Sequence, residues 1–266
     1  MCYKVHEVSH LIAKSSLSVL GISETWLGSA DSDALLSVNG YDLFRRDRSP
    51  QGGGGGVCLY VKEGLHASVE KQYSHPNIEL LWIRIPVTKH SRSILIGCIY
   101  RPPSSTTAFW PVLESTLEDA LAEEIVLLGD LNVDFLCPDQ PCFQCINRFL
   151  LIPLCLRNLI SSPTRFGRSH HSCLDVILTN SDWLHSGQTI DCDLSGHCLV
   201  SAILDYSISR RNNIHPESQR LTRRDLRHFN PSELLGKLSL SQLECFEVQW
   251  MACGLSGSRK VRSCTG

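Results

Sequence analysis

The residues of this chain best suited to chemistry stand at the ends of short apolar runs. Ile125, Val126, Leu127 and Leu128 form a run of the kind that fills a strand buried on both faces, and Gly129 then lets the backbone turn before Asp130 and Asn132. A carboxylate and a carboxamide two residues apart at the carboxyl end of a buried strand lie where α/β proteins place ligand-handling groups. A strand closed by an Asx-type turn has the same sequence. Glu24 follows the apolar residues 17–22 in the same way, with a surface carboxylate beside a packed Trp26 as the alternative. Tyr100 closes a third run, Asp175 stands near the start of a fourth, and Ser195, Gly196 and His197 lead into a fifth.

Composition limits what these groups can serve. With 266 residues and 42% hydrophobic content the chain holds one large domain or two small ones with an ordinary core. The net charge of −2 conceals an asymmetry: residues 207–266 carry ten Lys/Arg against five Asp/Glu, which leaves fifteen against twenty-two in residues 1–206. An acidic body argues against a broad phosphate-binding face, whereas clustered carboxylates suit a bound cation. Thirteen cysteines, an odd count without a signal-peptide pattern in the first twenty residues, read as scattered reduced thiols. No run approaches the length of a membrane span, so no membrane partner is expected.

The elements that must position these groups follow from periodicity. Val5, Val8, Leu11 and Ile12 recur at helical spacing ahead of the strand that leads to Glu24. Residues 41–46 and 57–62 read as a hairpin whose connection contains Gly52 to Gly56. No Gly-Lys-Ser/Thr follows those glycines, so a flexible turn is expected there and not a nucleotide loop. Residues 78–87 and 93–100 are two further strands, the second stopped by Pro102 and Pro103. Trp110, Leu113, Leu117 and Leu121 mark a helix that delivers the chain to the strand before Asp130. Phe143, Ile146, Phe149 and Leu150 mark another helix. A polar loop from Ser162 carries His170 and His171, both expected to face solvent, and Asn230, Pro231 and Glu233 read as a helix start near residues 231–248.

The order of these strand ends is more specific than any one of them. Ile-Ser-Glu-Thr-Trp-Leu, Gly-Gly-Gly-Val-Cys-Leu-Tyr-Val, Ile-Tyr-Arg-Pro-Pro, Leu-Leu-Gly-Asp-Leu-Asn, Leu-Asp-Val-Ile and Ser-Gly-His together resemble the endonuclease/exonuclease/phosphatase family, and within it the endonuclease domains of non-LTR, LINE-type retrotransposons. The resemblance spans residues 5–206 and implies a four-layered α/β sandwich, two packed mixed sheets flanked by helices. It implies metal-dependent phosphodiester hydrolysis by a DNA-nicking endonuclease, with DNA as partner and a nuclear or cytosolic location. On it Glu24 would bind Mg2+ or Mn2+, Asp130 would orient or deprotonate water, Asn132 and Tyr100 would hold the scissile phosphate, Asp175 would support them, and His197 would stabilise phosphoryl charge. Ser195 and Thr164 would lie at the substrate.

Two departures accompany the resemblance. The family's Ser-Asp-His motif has Gly196 at its centre here, which is expected to leave His197 without an orienting acid and to reduce the rate by about 10² to 10⁴. The family's first strand, which carries an Asn of the metal site, is missing ahead of residue 5, which is expected to leave one sheet with an open edge. Residues 1–206 are thus expected to form a truncated catalytic domain, and residues 207–266 a basic linker, disordered outside its helix. A catalytically inactive remnant with weak nucleic-acid binding is the alternative.

Overall fold

The computed structural model describes residues 4–15, 17–48, 54–87, 92–121, 123–167, 170–182, 184–192, 195–204 and 246–252. Helix α1 (Val5–Ser15) precedes β1 (Val19–Ser23), a short α2 (Asp33–Leu36), the hairpin β2 (Tyr41–Arg46) and β3 (Val57–Lys62), and β4 (Ser68–Val69). Then come β5 (Glu79–Val87), β6 (Arg92–Tyr100), α3 (Phe109–Glu118), β7 (Glu124–Asp130) and α4 (Pro141–Ile146), which runs into a π-helical turn at Asn147–Leu151. The chain continues through β8 (Arg157–Asn158), β9 (Arg165–Phe166), β10 (His171–Ser172), β11 (Asp175–Thr179), β12 (Leu184–Ile190), β13 (Leu199–Leu204) and β14 (Phe246–Ala252).

Two six-stranded mixed sheets are stacked. The first has the order β12-β13-β14-β1-β3-β2 and the second β4-β5-β6-β7-β11-β8. Alternation along the strands makes three apolar layers. Val19, Leu59 and Val61 of the first sheet meet Ile83, Ile96 and Leu128 of the second in the central layer. The outer face of the second sheet is covered by Trp110, Leu113 and Leu117 of α3 and by Ile146 of α4. Val8 and Ile12 of α1 and Leu36 of α2 cover Leu20 and Ile22 on the outer face of the first sheet. The result is the expected four-layered α/β sandwich.

Several local expectations change. Gly129 lies inside β7, not in a turn, and a side chain there would overlap the backbone of Ile99 on β6, so a glycine permits the close parallel pairing of these strands. A missing first strand is expected to leave one sheet with an open edge, and β1 is paired on both sides: β14 runs parallel to it from Val19↔Val248 to Ser23↔Ala252, and β3 lies antiparallel on the other side. Most of the helix expected near residues 231–248 lies outside the described residues, as do residues 205–230 and 253–266, but residues 246–252 form a strand where a helix end and a disordered tail were expected. The cysteines of the described residues form no disulfide. No helix among them is long and apolar enough to cross a membrane.

Candidate active site

Register brings the strand-end residues of the second sheet into one row. Glu79 on β5 pairs with Tyr100 on β6, Tyr100 with Asp130 on β7, and Asp130 with Asp175 on β11. Register partners on adjacent strands present their side chains to the same face. Tyr100 belongs to the central layer, so the row is turned toward the first sheet. That sheet supplies Glu24, one residue past β1, and His197, two residues before β13. Each acid or base is held by a strand end, and the site lies where the two sheets meet.

The row is heavily buried. Asp130 is 3% exposed and Asp175 is fully enclosed. His197 Nδ1 lies 2.8 Å from Asp175 Oδ2, and the Tyr100 hydroxyl donates to Glu24 Oε1. Asp130 Oδ1 accepts the Asn132 backbone N–H at 2.8 Å, and Asn132 Nδ2 donates to the Arg101 carbonyl at 2.8 Å. Glu24 and Asn132 both have φ of 49°, a left-handed conformation uncommon for such residues and frequent where a binding site dictates backbone shape.

Electrostatics follow from this enclosure. Burial first, then repulsion by Asp175, raises the Asp130 carboxyl far above the usual carboxylate range, and Glu24 adds to it; His197 and the Asn132 N–H act against it. Burial alone would lower His197, but the hydrogen bond and charge of Asp175, with Asp130 behind it, carry its pKa above the ordinary value. Burial and the bond to Glu24 push the Tyr100 phenol well up, so it stays a donor.

Three expected roles change with this geometry. Gly196 does not leave His197 without an acid, because Asp175 from β11 occupies Nδ1. Gly196 is itself exposed, with nothing within 4 Å of where a Cβ would stand. Thr164 was expected at the substrate; it is fully buried beneath the site, where its hydroxyl accepts the N–H groups of Leu174 (3.0 Å) and Asp175 (3.2 Å) and its carbonyl accepts that of Cys198 (2.7 Å). Ser195 Oγ accepts the His197 N–H and donates to the His197 carbonyl, both at 3.0 Å, so it fixes the histidine's backbone.

Other contributors carried no motif in the sequence. Glu79 completes the row and takes the Arg48 guanidinium, Nε at 2.6 Å, and Arg48 in turn lies 5.6 Å from the Tyr100 ring centroid. The glycine run is a packing surface, not a loose turn, in its described part. Thr25 and Trp26 donate their N–H groups to Gly56 and Gly55, and a side chain at Gly54 would overlap the Trp26 ring. His170 is exposed as expected, yet its Nε2 is 2.8 Å from Asp134 Oδ2, which ties the loop after Asn132 to the β9–β10 hairpin. Long sequence separation hides such pairings from any local pattern.

The model of the Endonuclease/Exonuclease/phosphatase family matches residues 1–195. A search of curated proteins finds no match. Among solved structures the chain is similar to the AP endonuclease LMAP from Leishmania major, at 15% identity over 74% of this chain and 80% of that one, with a TM-score of 0.61. It is similar to the endonuclease domain of TRAS1, a telomere-specific non-LTR retrotransposon, at 15% identity over 73% and 89%, TM-score 0.58. It is also similar to the 3' phosphatase NExo from Neisseria bound to product DNA hairpin, at 16% identity over 77% and 95%, TM-score 0.57. At such identities the structural likeness shows a shared fold.

Proposed function

Since the chain belongs to the Endonuclease/Exonuclease/phosphatase family, which makes phosphodiester hydrolysis its reaction class, we propose that it is a DNA-nicking endonuclease of retrotransposon origin that works with Mg2+ or Mn2+. The observation that carries the reading is the enclosed pair Asp130 and Asp175, register partners on β7 and β11, with His197 held by Asp175. The DNA assignment draws on the neighbours named for DNA, an AP endonuclease, a retrotransposon endonuclease domain and a phosphatase bound to a DNA hairpin.

The residues fit a divalent cation. Asp130, Asp175 and His197 bring their ligand atoms within 4.8 Å of one another, and Glu24 lies close enough to add its charge at Asp130. Carboxylate oxygens are the donors that Mg2+ and Mn2+ favour. Glu24 would hold the ion, with Asp130 beside it. When bound, the ion supplies Lewis-acid stabilisation of charge on the phosphate.

The chain's own groups divide the remaining work. Asp130, with its pKa raised, is matched to accept a proton from the attacking water near neutral pH. Asn132 has one amide hydrogen committed to Arg101, which orients the other toward a phosphate oxygen. Tyr100 donates a hydrogen bond to Glu24 and so fixes that carboxylate. Asp175 holds His197 through Nδ1, leaving Nε2 of the imidazolium to meet charge developing on the phosphoryl oxygens. The alternative of an inactive remnant draws on Gly196 and on the missing first strand with its Asn, and the first of these arguments is weakened once Asp175 serves His197.

The test is conversion of supercoiled plasmid to open circles in Mg2+, with EDTA and Glu24→Ala as controls. Nicking that both controls abolish is the expected result. The absence of nicking above Glu24→Ala at high enzyme concentration overturns the reading. Plain duplex, abasic DNA and phosphoinositides run side by side test the substrate, and preferential turnover of phosphoinositides overturns the DNA assignment.

A further inference from the structure

The first sheet is completed from far along the chain. β14 occupies an interior position, parallel to β1 and antiparallel to β13, and is paired on both sides from Leu199↔Met251 to Leu204↔Phe246 and from Val19↔Val248 to Ser23↔Ala252. Without it the sheet divides into β12–β13 and β1–β3–β2, separated by a slot one strand wide. Both walls of that slot are strands of the core: all five residues of β1 are buried, as are five of the six residues of β13. Their facing N–H and C=O groups would lose their partners in a setting where unpaired backbone is costly.

The slot also bears on the site. Glu24 follows the last residue of β1, and His197 precedes β13 by two residues. Among the described residues β14 alone bridges β1 and β13 in the first sheet, and so it fixes the spacing of the two groups that this sheet contributes. Moreover, Leu204 and Phe246 are register partners. Partners on antiparallel strands stand about 5 Å apart, so the connection through residues 205–245 has almost no distance to span.

We infer that the slot between β1 and β13 is a strand-accepting site whose ligand is an extended peptide, this chain's own residues 246–252, and that the covalent link through residues 205–245 is not needed to hold it. Recognition is by main-chain hydrogen bonding along two edges, the mode in which a peptide adds to a sheet. The tail is thereby part of the catalytic domain and not a spacer beyond it.

The test needs no catalysis and does not depend on the function proposed above. A specific protease site is inserted within residues 205–245 of the full chain, the folded protein is cut, and the products are run on gel filtration in native and denaturing buffer. The C-terminal fragment is expected to co-elute with the body in native buffer, with the melting temperature within ~2 °C of the uncut chain, and to separate in denaturant. Separation in native buffer overturns the proposal. In the uncut chain, Gln249→Pro removes an N–H from an interior strand, where proline is not accommodated. It is expected to lower the melting temperature by more than ~5 °C and to release the fragment after cutting. A Gln249→Pro chain that melts and elutes like its parent overturns the proposal as well.

Discussion

Replacing Asp175 by Asn tests the site at its most enclosed point. The substitution keeps the shape of a fully buried side chain and removes its charge. In the native protein the carboxylate lies 2.8 Å from His197 Nδ1, a charge-assisted bond roughly twice as strong as a neutral one. Losing that margin costs about 1 to 2 kcal/mol in holding the imidazolium, or roughly five- to thirtyfold in rate. An amide that turns its NH2 toward Nδ1 would also select the wrong tautomer, which in a related acid–histidine arrangement costs up to ~10⁴. A fall in single-turnover nicking rate on the order of 10² to 10⁴ is therefore expected at saturating Mg2+.

The pH profile gives this prediction its specificity. Activity rises as Asp130 loses its proton and falls as His197 loses its own, and Asp175 raises both pKa values, by repulsion in the first case and by bonding and attraction in the second. Asp175→Asn is accordingly expected to move both limbs of the bell to lower pH, while circular dichroism shows an unchanged fold. A rate within about threefold of the parent with neither limb displaced would refute the assignment of Asp175 as the partner of His197.

Three further outcomes follow from the same coordinates. Gly196→Asp places a side chain in open space beside a histidine already partnered, so nicking should change by less than about fivefold, far from the 10² to 10⁴ that restoring a missing partner would return. Thr164→Val removes the hydroxyl that accepts the buried N–H groups of Leu174 and Asp175, which should lower the urea-unfolding free energy by about 1 to 3 kcal/mol and leave DNA KM unchanged in the folded fraction. For pH, Asp130 and His197 both have folded pKa values raised above their unfolded ones, so the folded state holds the extra protons. Metal-free stability should be greatest below the unfolded values, about 3.9 for Asp and 6.5 for His, and should decline as pH rises through the folded ones. Asp130→Asn should flatten that decline in differential scanning calorimetry. Mg2+ should stabilise the protein more at the alkaline end, where Asp130 has no proton to displace.

What the sequence revealed and what it hid divide along physical lines. The hairpin over Tyr41–Arg46 and Val57–Lys62 and the α1 helix were legible because their apolar residues recur at the period of the element. Glu24, Asp130 and Asp175 were legible as strand ends, but nothing local reveals that Tyr100, Asp130 and Asp175 form one row, since register belongs to the sheet. The misplaced expectation for Gly196 has the same origin. The resemblance to a Ser-Asp-His motif puts the partner of His197 at the neighbouring position, whereas the partner comes from β11 across the layer between the sheets. β12 escaped notice because its sequence, LHSGQTI, lacks the alternation of a half-buried strand, as suits a sheet edge. β14 escaped because a strand is defined by its neighbours, and both of its neighbours lie in distant parts of the chain.

The division of the site between the sheets explains why so many groups around it bind one another. The second sheet fixes Tyr100, Asp130 and Asp175 relative to one another through its own ladder, and needs no further help. Glu24 and His197 come from the other sheet, and mere stacking of apolar faces would leave their approach to that row poorly defined, since dispersion contacts have little direction. Directed bonds cross the gap instead. Tyr100 reaches Glu24, Asp175 reaches His197, and Thr164 joins Cys198 at the start of β13 to Asp175 at the start of β11. Each of these bonds spans the two sheets or links elements that do. The catalytic competence proposed for this chain therefore depends less on any single acid than on the registration of one sheet against the other, and substitutions at the crossing bonds should affect rate more than equally buried changes within either sheet.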